Sequence, residues 1–176
     1  TGVFVRGASS SVTIENGTIN LTEARIAKGE EGVNSTGDVN ISGGNITLDN
    51  QAYIEMYDSN TGAVKLSGGN LIIKDNSGVL LDGANDFTMT GGSLTATSNG
   101  NSADTGIFVK GDGADVNIQG GDINLTDSRI YKGNDAATTG DTNISGGNIT
   151  LNKNAYIEMR KENTGNVNMT GGKLVL

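Results

Sequence analysis

Pairs of small residues recur along this chain at nearly constant spacing and divide it into short repeats. Each pair is Gly-Gly or Asn-Gly, and successive pairs lie 23 to 29 residues apart; their second members are Gly17, Gly44, Gly69, Gly92, Gly121, Gly147 and Gly172. Such a period is typical of stacked repeats, because one unit of about 25 residues cannot bury an apolar face alone. Seven units fill residues 1–176 as one predicted domain: 2–23, 24–50, 51–76, 77–104, 105–127, 128–153 and 154–176.

A longer duplication encloses these units. Residues 1–73 are similar to residues 105–176, and the segment NISGGNITL occurs at both 40–48 and 143–151. Neither end carries the polar capping unit that an isolated repeat array needs. We therefore expect either a fragment of a longer rod or a subunit that stacks end to end.

Apolar and polar residues alternate within each unit, in three runs separated by Gly, Asn, Asp and Ser. A period of two predicts β-strands with one buried row each, and no run has helical periodicity. Stacking of equivalent strands gives three parallel sheets around an apolar core, with right-handed connections. The predicted fold is all-β: a right-handed parallel β-helix, or β-solenoid, of seven coils with three short strands per coil.

The first strand of each coil is predicted to point its central residue into the core. The small residue two positions earlier is predicted to face inward as well. The central residues are Phe4, Ile26, Ile54, Leu80, Phe108, Ile130 and Ile157.

Amides and hydroxyls dominate the outward positions of the other two strands. The chain has 22 Asn, and only 18% of its residues are charged, below the usual quarter. Stacked side chains lie about 4.8 Å apart, where like charges repel while Asn and Thr can hydrogen-bond to one another. The outward columns that begin at Thr13 and Thr18 are therefore predicted to form amide and hydroxyl ladders.

The composition excludes several classes of function. The chain has no His and no Cys, which rules out His-dependent nucleophiles, thiolate or imidazole metal sites, and disulfides. Twelve basic residues against 20 acidic ones give a net charge of −8, so a nucleic-acid partner is not expected. No apolar run is long enough to insert in a membrane.

The outward columns of the first strand mix apolar, aromatic and charged residues. The strands around Phe4 and Phe108 are apolar on both sides, and such strands are usually covered on both faces. Either a partner covers this face, or it is a moderately apolar wall of the rod. The candidate binding residues on it are Arg25, Tyr53, Glu55, Arg129, Tyr131, Tyr156 and Glu158.

One arrangement of these candidates occurs twice. Arg25 precedes Tyr53 and Glu55 by one coil, and the duplication repeats the same three residue types. An aromatic ring flanked by Arg and Glu can stack on a sugar and hydrogen-bond its hydroxyls. The alternative is an ion pair between neighbouring coils, worth about 0–1 kcal/mol at a surface.

The carboxylates do not predict a glycosidase. That chemistry needs two carboxyl groups about 5–9.5 Å apart, whereas Glu55 and Glu158 are predicted to lie four coils apart, or about 19 Å. Two closer acidic pairs lie in turns, where turn formation explains them without a calcium loop: Asp82 with Asp86, and Asp112 with Asp115. We expect no catalytic residue, no metal and no cofactor.

The repeated motif resembles a known family of secreted proteins. The sequences VNISGGNITL at 39–48 and VNIQGGDINL at 116–125, each followed by a polar loop and another strand, are similar to repeats in the passenger domains of Gram-negative autotransporters and related adhesins. The resemblance covers almost the whole chain, but solenoid-forming residues carry it. It implies a right-handed β-helix at the bacterial surface or outside the cell, in a stalk or adhesive role.

The sequence thus leads to three hypotheses about function. The first is a non-enzymatic stalk or adhesin segment, with a host glycan or a surface protein as its partner. The second is a structural rod that self-associates end to end. The third, less favoured, is a carbohydrate-active β-helix enzyme.

Overall fold

The chain forms a parallel β-solenoid, as predicted. The computed structural model describes residues 1–100, 104–134 and 137–176. Three parallel sheets of seven strands each run along the solenoid, and every coil contributes one strand to each sheet. No α-helix occurs in these three described segments.

We name the sheets A, B and C in the order in which the chain visits them. Sheet A contains β1 (Gly2–Val5), β4 (Arg25–Lys28), β8 (Tyr53–Met56), β12 (Gly78–Leu81), β15 (Gly106–Val109), β18 (Arg129–Lys132) and β21 (Tyr156–Met159). Sheet B contains β2 (Val12–Ile14), β6 (Val39–Ile41), β10 (Ala63–Leu66), β13 (Asp86–Met89), β16 (Val116–Ile118), β19 (Thr142–Ile144) and β22 (Val167–Met169). Sheet C contains β3 (Thr18–Thr22), β7 (Asn45–Asp49), β11 (Asn70–Lys74), β14 (Ser93–Thr97), β17 (Asp122–Thr126), β20 (Asn148–Asn152) and β23 (Lys173–Val175). A short pair, β5 (Ser35–Thr36) and β9 (Asn60–Thr61), lies between sheets A and B.

Apolar side chains from the three sheets fill the interior. In sheets B and C the alternation correctly predicts which residues point inward: Val64 and Leu66 of β10, and Leu71 and Ile73 of β11, are fully buried. A fully buried aliphatic side chain contributes about 1.5–3 kcal/mol. This continuous core is the main force that opposes the conformational entropy of the chain.

In sheet A, the predicted inward residues are wrong in the first, fourth and fifth coils. Phe4, Leu80 and Phe108 were expected to point inward, but strand pairing places them in the outward column that contains Glu55. The residues on either side of them point inward instead: Val3, Val5, Val79, Leu81, Ile107 and Val109.

The error has a physical cause. These strands are apolar at three consecutive positions, so alternation alone cannot choose the buried face. Gly78, two residues before Leu80, was expected to face inward, yet it pairs with Tyr53 in an outward column. Ser77, one residue earlier, is the small residue that is fully buried. The glycine is needed because a Cβ at Gly78 would lie 2.3 Å from the backbone oxygen of Gly106.

The paired glycines mark the corner between sheets B and C. At the first position, a Cβ on Gly146 would lie 2.2 Å from the backbone oxygen of Gln119 in the preceding coil. At the second position, Gly147 has a φ of 81°, a left-handed conformation that glycine adopts without steric cost. Each pair therefore satisfies two separate constraints, close stacking and a sharp turn.

Amide ladders run along the outer faces of sheets B and C, as predicted. In sheet B, Asn168 Nδ2 donates to Asn143 Oδ1 at 2.9 Å, and Asn143 Nδ2 donates to Asn117 Oδ1 at 3.1 Å. In sheet C, Asn70 Nδ2 donates to Asn45 Oδ1 at 2.7 Å. These side chains satisfy one another from coil to coil.

Carboxylates also stack, at the corner between sheets A and B, which the ladder argument did not predict. Asp86 accepts a hydrogen bond from the backbone N–H of Asp115 at 2.8 Å, and Asp115 accepts one from the N–H of Asp141 at 2.7 Å. Backbone donors favour the ionised carboxylates and so offset their mutual repulsion. Burial nevertheless raises the pKa of Asp86.

Two lysines lie inside the solenoid, where the sequence analysis placed none. Lys28 and Lys132 are fully buried in the inward column of sheet A that also contains Met56. The Nζ atom of Lys28 donates to the backbone oxygen of Gly7 at 3.2 Å, and that of Lys132 to Gly111 at 2.9 Å. Burial lowers the pKa of both amines, because an apolar interior disfavours the charged form.

Candidate functional site

The seven candidate residues all belong to the two outward columns of sheet A. One column runs Gly2, Arg25, Tyr53, Gly78, Gly106, Arg129 and Tyr156, and the other runs Phe4, Ala27, Glu55, Leu80, Phe108, Tyr131 and Glu158. Sheet A therefore displays aromatic, cationic and acidic groups side by side.

Both predicted ion pairs between neighbouring coils are present. Arg25 Nη1 lies 2.7 Å from Glu55 Oε2, and Arg129 Nη1 lies 3.1 Å from Glu158 Oε2. The Glu55 side chain is 7% exposed while that of Arg25 is 47% exposed, so the guanidinium covers the carboxylate. These pairs fix the direction of each Arg, even though a surface pair adds only about 0–1 kcal/mol to stability.

Each Arg also lies over an aromatic ring. The guanidinium of Arg25 is 5.8 Å from the ring centre of Tyr53, and that of Arg129 is 4.7 Å from Tyr131. Phe108 and Tyr131 form a tilted pair with ring centres 6.2 Å apart. Cation–π and aromatic contacts of this kind hold large side chains in defined positions.

A groove of about 570 Å³ lies between these two groups of residues. Leu80 and Phe108 line its floor, and Arg25 with Tyr53 and Arg129 with Tyr131 border its ends. Gly78 and Gly106 stand between Tyr53 and Arg129 in their column. Both glycines are buried, and a Cβ on Gly78 would lie 2.9 Å from Cε2 of Phe108, so the Phe108 ring occupies the space that a side chain at position 78 would fill.

Polar residues form the two long sides of the groove. Gln51, Asn76 and Asp104 come from successive turns between sheets C and A, and Lys110 lies on the opposite side. The Tyr53 hydroxyl donates to the backbone oxygen of Asn76 at 2.8 Å. Burial raises the pKa of the Tyr53 phenol, Asp104 raises it further, and Arg25 opposes the increase.

The structure brings together four of the seven candidates. Arg25, Tyr53, Arg129 and Tyr131 line the groove. Glu55 and Glu158 hold the two arginines, and Tyr156 lies one coil beyond Arg129. The duplicated Arg, Tyr and Glu therefore do not form two equal sites.

The remaining lining residues were not predicted from the sequence. Leu80 and Phe108 were expected to point inward, and Gln51, Asn76, Asp104 and Lys110 were not among the candidate residues. One available signal was the pair Gly78 and Gly106, which interrupts a column of large side chains in adjacent coils. A second signal was Tyr131, which stands where the first copy of the duplication has Ala27.

Aspartates in the two acidic turns accept hydrogen bonds from neighbouring coils. Asp86 accepts the backbone N–H of Asp115, and Asp112 accepts hydrogen bonds from both the backbone N–H and the hydroxyl of Thr139. The bonds from Thr139 lower the pKa of Asp112. Within the described segments, no group of three or more acidic residues is arranged to hold a metal ion.

We compared the chain with models of protein families, with curated proteins and with solved structures. None of the three comparisons found a match. Among the described residues there is also no helix of the length and apolarity needed to cross a membrane. The proposals below rest on the geometry of the chain and on the resemblance of its repeat motif.

Proposed function

We propose that this chain is a non-enzymatic β-helical stalk or adhesin segment of an extracellular or bacterial surface protein, and that the groove on sheet A is its binding site. The groove carries this proposal, because it combines an apolar floor with fixed polar groups on a rigid support. Concave sites with a few oriented polar groups are the usual places where proteins bind ligands. The similarity of the repeats to autotransporter passenger domains supports the surface location.

The solenoid suits this role mechanically. Each sheet hydrogen-bonds every coil to the next, and seven coils at about 4.8 Å each make a rod roughly 30 Å long. The groove lies on the side of the rod and spans the middle coils. A rod of this kind holds a binding face away from its attachment point.

The carboxylates favour binding over hydrolysis. Asp104 is the only acidic residue among the described residues that line the groove. Glu55 and Glu158 are occupied by Arg25 and Arg129. A retaining or inverting glycosidase needs two carboxyl groups facing one bond, and this groove offers one.

A binding assay with one matched pair of variants tests the proposal. Leu80→Lys introduces a charged chain on the groove floor, and Ile72→Lys makes the same kind of change at an outward, half-buried position of sheet C. The labelled protein is applied to arrays of glycans and of surface proteins from host cells. We expect binding by the wild type and by Ile72→Lys, and its loss in Leu80→Lys.

The opposite pattern would refute the proposal. If no immobilised glycan or surface protein binds the wild type, the groove is not an adhesive site. If Leu80→Lys binds as well as Ile72→Lys does, adhesion uses another face. Circular dichroism of both variants confirms that they keep the fold.

A specific strand match also favours the second hypothesis, end-to-end association. Within the chain, β12 (GVLL) stacks on β8 (YIEM). At the two ends, β21 also reads YIEM and β1 reads GVFV. Stacking of β1 from a second copy on β21 would therefore repeat an interface that the chain already contains.

Light scattering during size-exclusion chromatography tests this association. We expect the mass to grow with concentration. Val3→Lys places a charge in the inward column of β1, which the junction between two copies would bury, so it should abolish that growth while Ile72→Lys preserves it. A wild-type chain that remains monomeric at the highest concentration would exclude end-to-end assembly.

A further inference from the structure

We propose that the ligand of the groove on sheet A is a neutral oligosaccharide that lies along the axis of the rod. This inference rests on the proposed function and specifies the chemistry of the ligand. Three features of the described residues support it: the balance of charge in the groove, the chemistry of its floor and sides, and its length.

Charges around the groove are balanced. Arg25 is paired with Glu55 and Arg129 with Glu158. Lys110 and Asp104, the remaining charged residues of the lining, have opposite signs. Since the whole chain carries a net charge of −8, long-range forces would also repel an acidic polymer. The groove therefore favours a ligand without charge.

The surfaces of the groove fit the two kinds of surface that a sugar ring presents. Leu80 on the floor and Tyr53 at one end are half-buried and offer apolar area for the C–H face of a ring, whereas Phe108 and Tyr131 are each 7% exposed and add little to it. Gln51 and Asn76 on one side offer amide donors and acceptors for the hydroxyl groups of a sugar. Sugars need both kinds of contact, because each ring has apolar faces and a polar edge.

The sheet disfavours an extended peptide as the ligand. A peptide that binds by strand addition needs an unpaired sheet edge, and the groove lies on a sheet face. Both neighbours of β12 and of β15 are hydrogen-bonded strands of sheet A. The backbone under the groove thus has no free row of donors and acceptors for a peptide.

The length of the groove predicts how many sugar rings take part. Its lining extends from Arg25 in β4 to Arg129 in β18, which are four strand positions apart. Four spacings of about 4.8 Å give roughly 19 Å, several times the size of one ring. We therefore expect affinity to rise with chain length until the oligosaccharide fills this distance.

Titration calorimetry with defined soluble glycans tests the inference. The probes are neutral gluco-, manno- and galacto-oligosaccharides from disaccharide to hexasaccharide, with oligogalacturonate of equal length as the acidic counterpart. We expect at least one neutral series to bind, with the hexasaccharide at least about tenfold tighter than the disaccharide, a difference of about 1.4 kcal/mol. Leu80→Lys should weaken hexasaccharide binding by at least about tenfold, while Ile72→Lys leaves it unchanged.

Ionic strength gives an independent readout. Binding of an uncharged ligand should change by less than about twofold between 0.01 and 0.15 M salt, a range over which screening alters contacts between charges strongly. Nuclear magnetic resonance shifts on addition of the hexasaccharide should centre on Leu80 and Phe108 and spare Ile72.

The possible failures separate this inference from the proposed function. If oligogalacturonate or a surface protein binds in a manner that Leu80→Lys abolishes, while no neutral series binds, the ligand class is wrong and the adhesive groove remains. If the disaccharide binds as tightly as the hexasaccharide, the ligand does not lie along the rod. If nothing binds in either assay, both proposals fall.

Discussion

Thr142→Val tests the cost of burying an unpaired hydroxyl in the interior of sheet B. Thr142 is fully buried, and its Oγ1 atom has no hydrogen-bond partner. Val116 and Val167 occupy the equivalent positions in the two neighbouring coils. Valine has nearly the same shape as threonine, so the substitution replaces an unsatisfied hydroxyl with a methyl group that this column already accommodates.

The expected gain follows from the desolvation of the hydroxyl. A buried polar group without a partner costs about 1–3 kcal/mol, and valine at position 142 should raise the free energy of unfolding by that amount. For a chain of this size each kcal/mol shifts Tm by about 2–4 °C, so calorimetry should show an increase of about 2–12 °C.

A matched control isolates the effect of burial. Thr88 lies in the outward column of the same sheet, between Lys65 and Asn117, where water can reach its hydroxyl. Thr88→Val should change the free energy of unfolding by less than about 0.5 kcal/mol. A Thr142→Val variant that is less stable than the wild type, or no more stable than Thr88→Val, would refute the reasoning.

Two further predictions concern the corner glycines and the buried amines. Gly146→Ala should lower the free energy of unfolding by at least about 2 kcal/mol, because the new methyl would overlap the Gln119 backbone oxygen 2.2 Å away; denaturant unfolding measures this, and an unchanged midpoint would contradict the close stacking. Lys132→Met should flatten the dependence of stability on pH. Burial lowers the pKa of Lys132 in the folded chain from its ordinary 10.5, so between the lowered pKa and 10.5 the unfolded chain binds more protons and wild-type stability rises with pH. Met56 and Met159 already fill this column in other coils, and the stability difference between Lys132→Met and the wild type should narrow as pH rises from 7 to 10.5. A constant difference would show that the amine is not desolvated.

The repeats predicted the architecture because their constraints are local. A Gly pair such as Gly146 and Gly147 combines close stacking with a left-handed turn, and each requirement is visible in the sequence as a glycine. Alternation in sheets B and C also predicts the inward residues, since Asn or Thr separates two aliphatic residues in most of these strands. Composition and period were therefore enough to predict the fold class and the inward residues of sheets B and C.

The inward residues of sheet A could not all be predicted from alternation. Val79, Leu80 and Leu81 have similar hydropathy, and the choice of the buried face depends on how neighbouring coils pair. In β8 the alternation places Tyr53 and Glu55 outward, and stacking β12 on β8 then forces Leu80 outward as well. The groove depends on this register, which explains why its floor escaped the sequence analysis.

Lys28 and Lys132 show a second limit of pattern reasoning. A lysine is expected to be exposed, because burial of its charge is costly. Here each amine reaches a backbone oxygen inside the coil, and the aliphatic part of the side chain packs as methionine does in other coils. Only the stacked structure reveals that partner.

Thiol labelling of single cysteine variants tests most directly that the coils stack so that a groove faces outward on sheet A. The chain has no cysteine of its own, so Leu80→Cys and Leu81→Cys each carry one thiol. Leu80 lies on the groove floor, whereas Leu81 is fully buried. In the folded protein, position 80 should react readily with a thiol reagent and position 81 should react only after unfolding. Rapid reaction at position 81 with protection at position 80 would contradict the register and the groove.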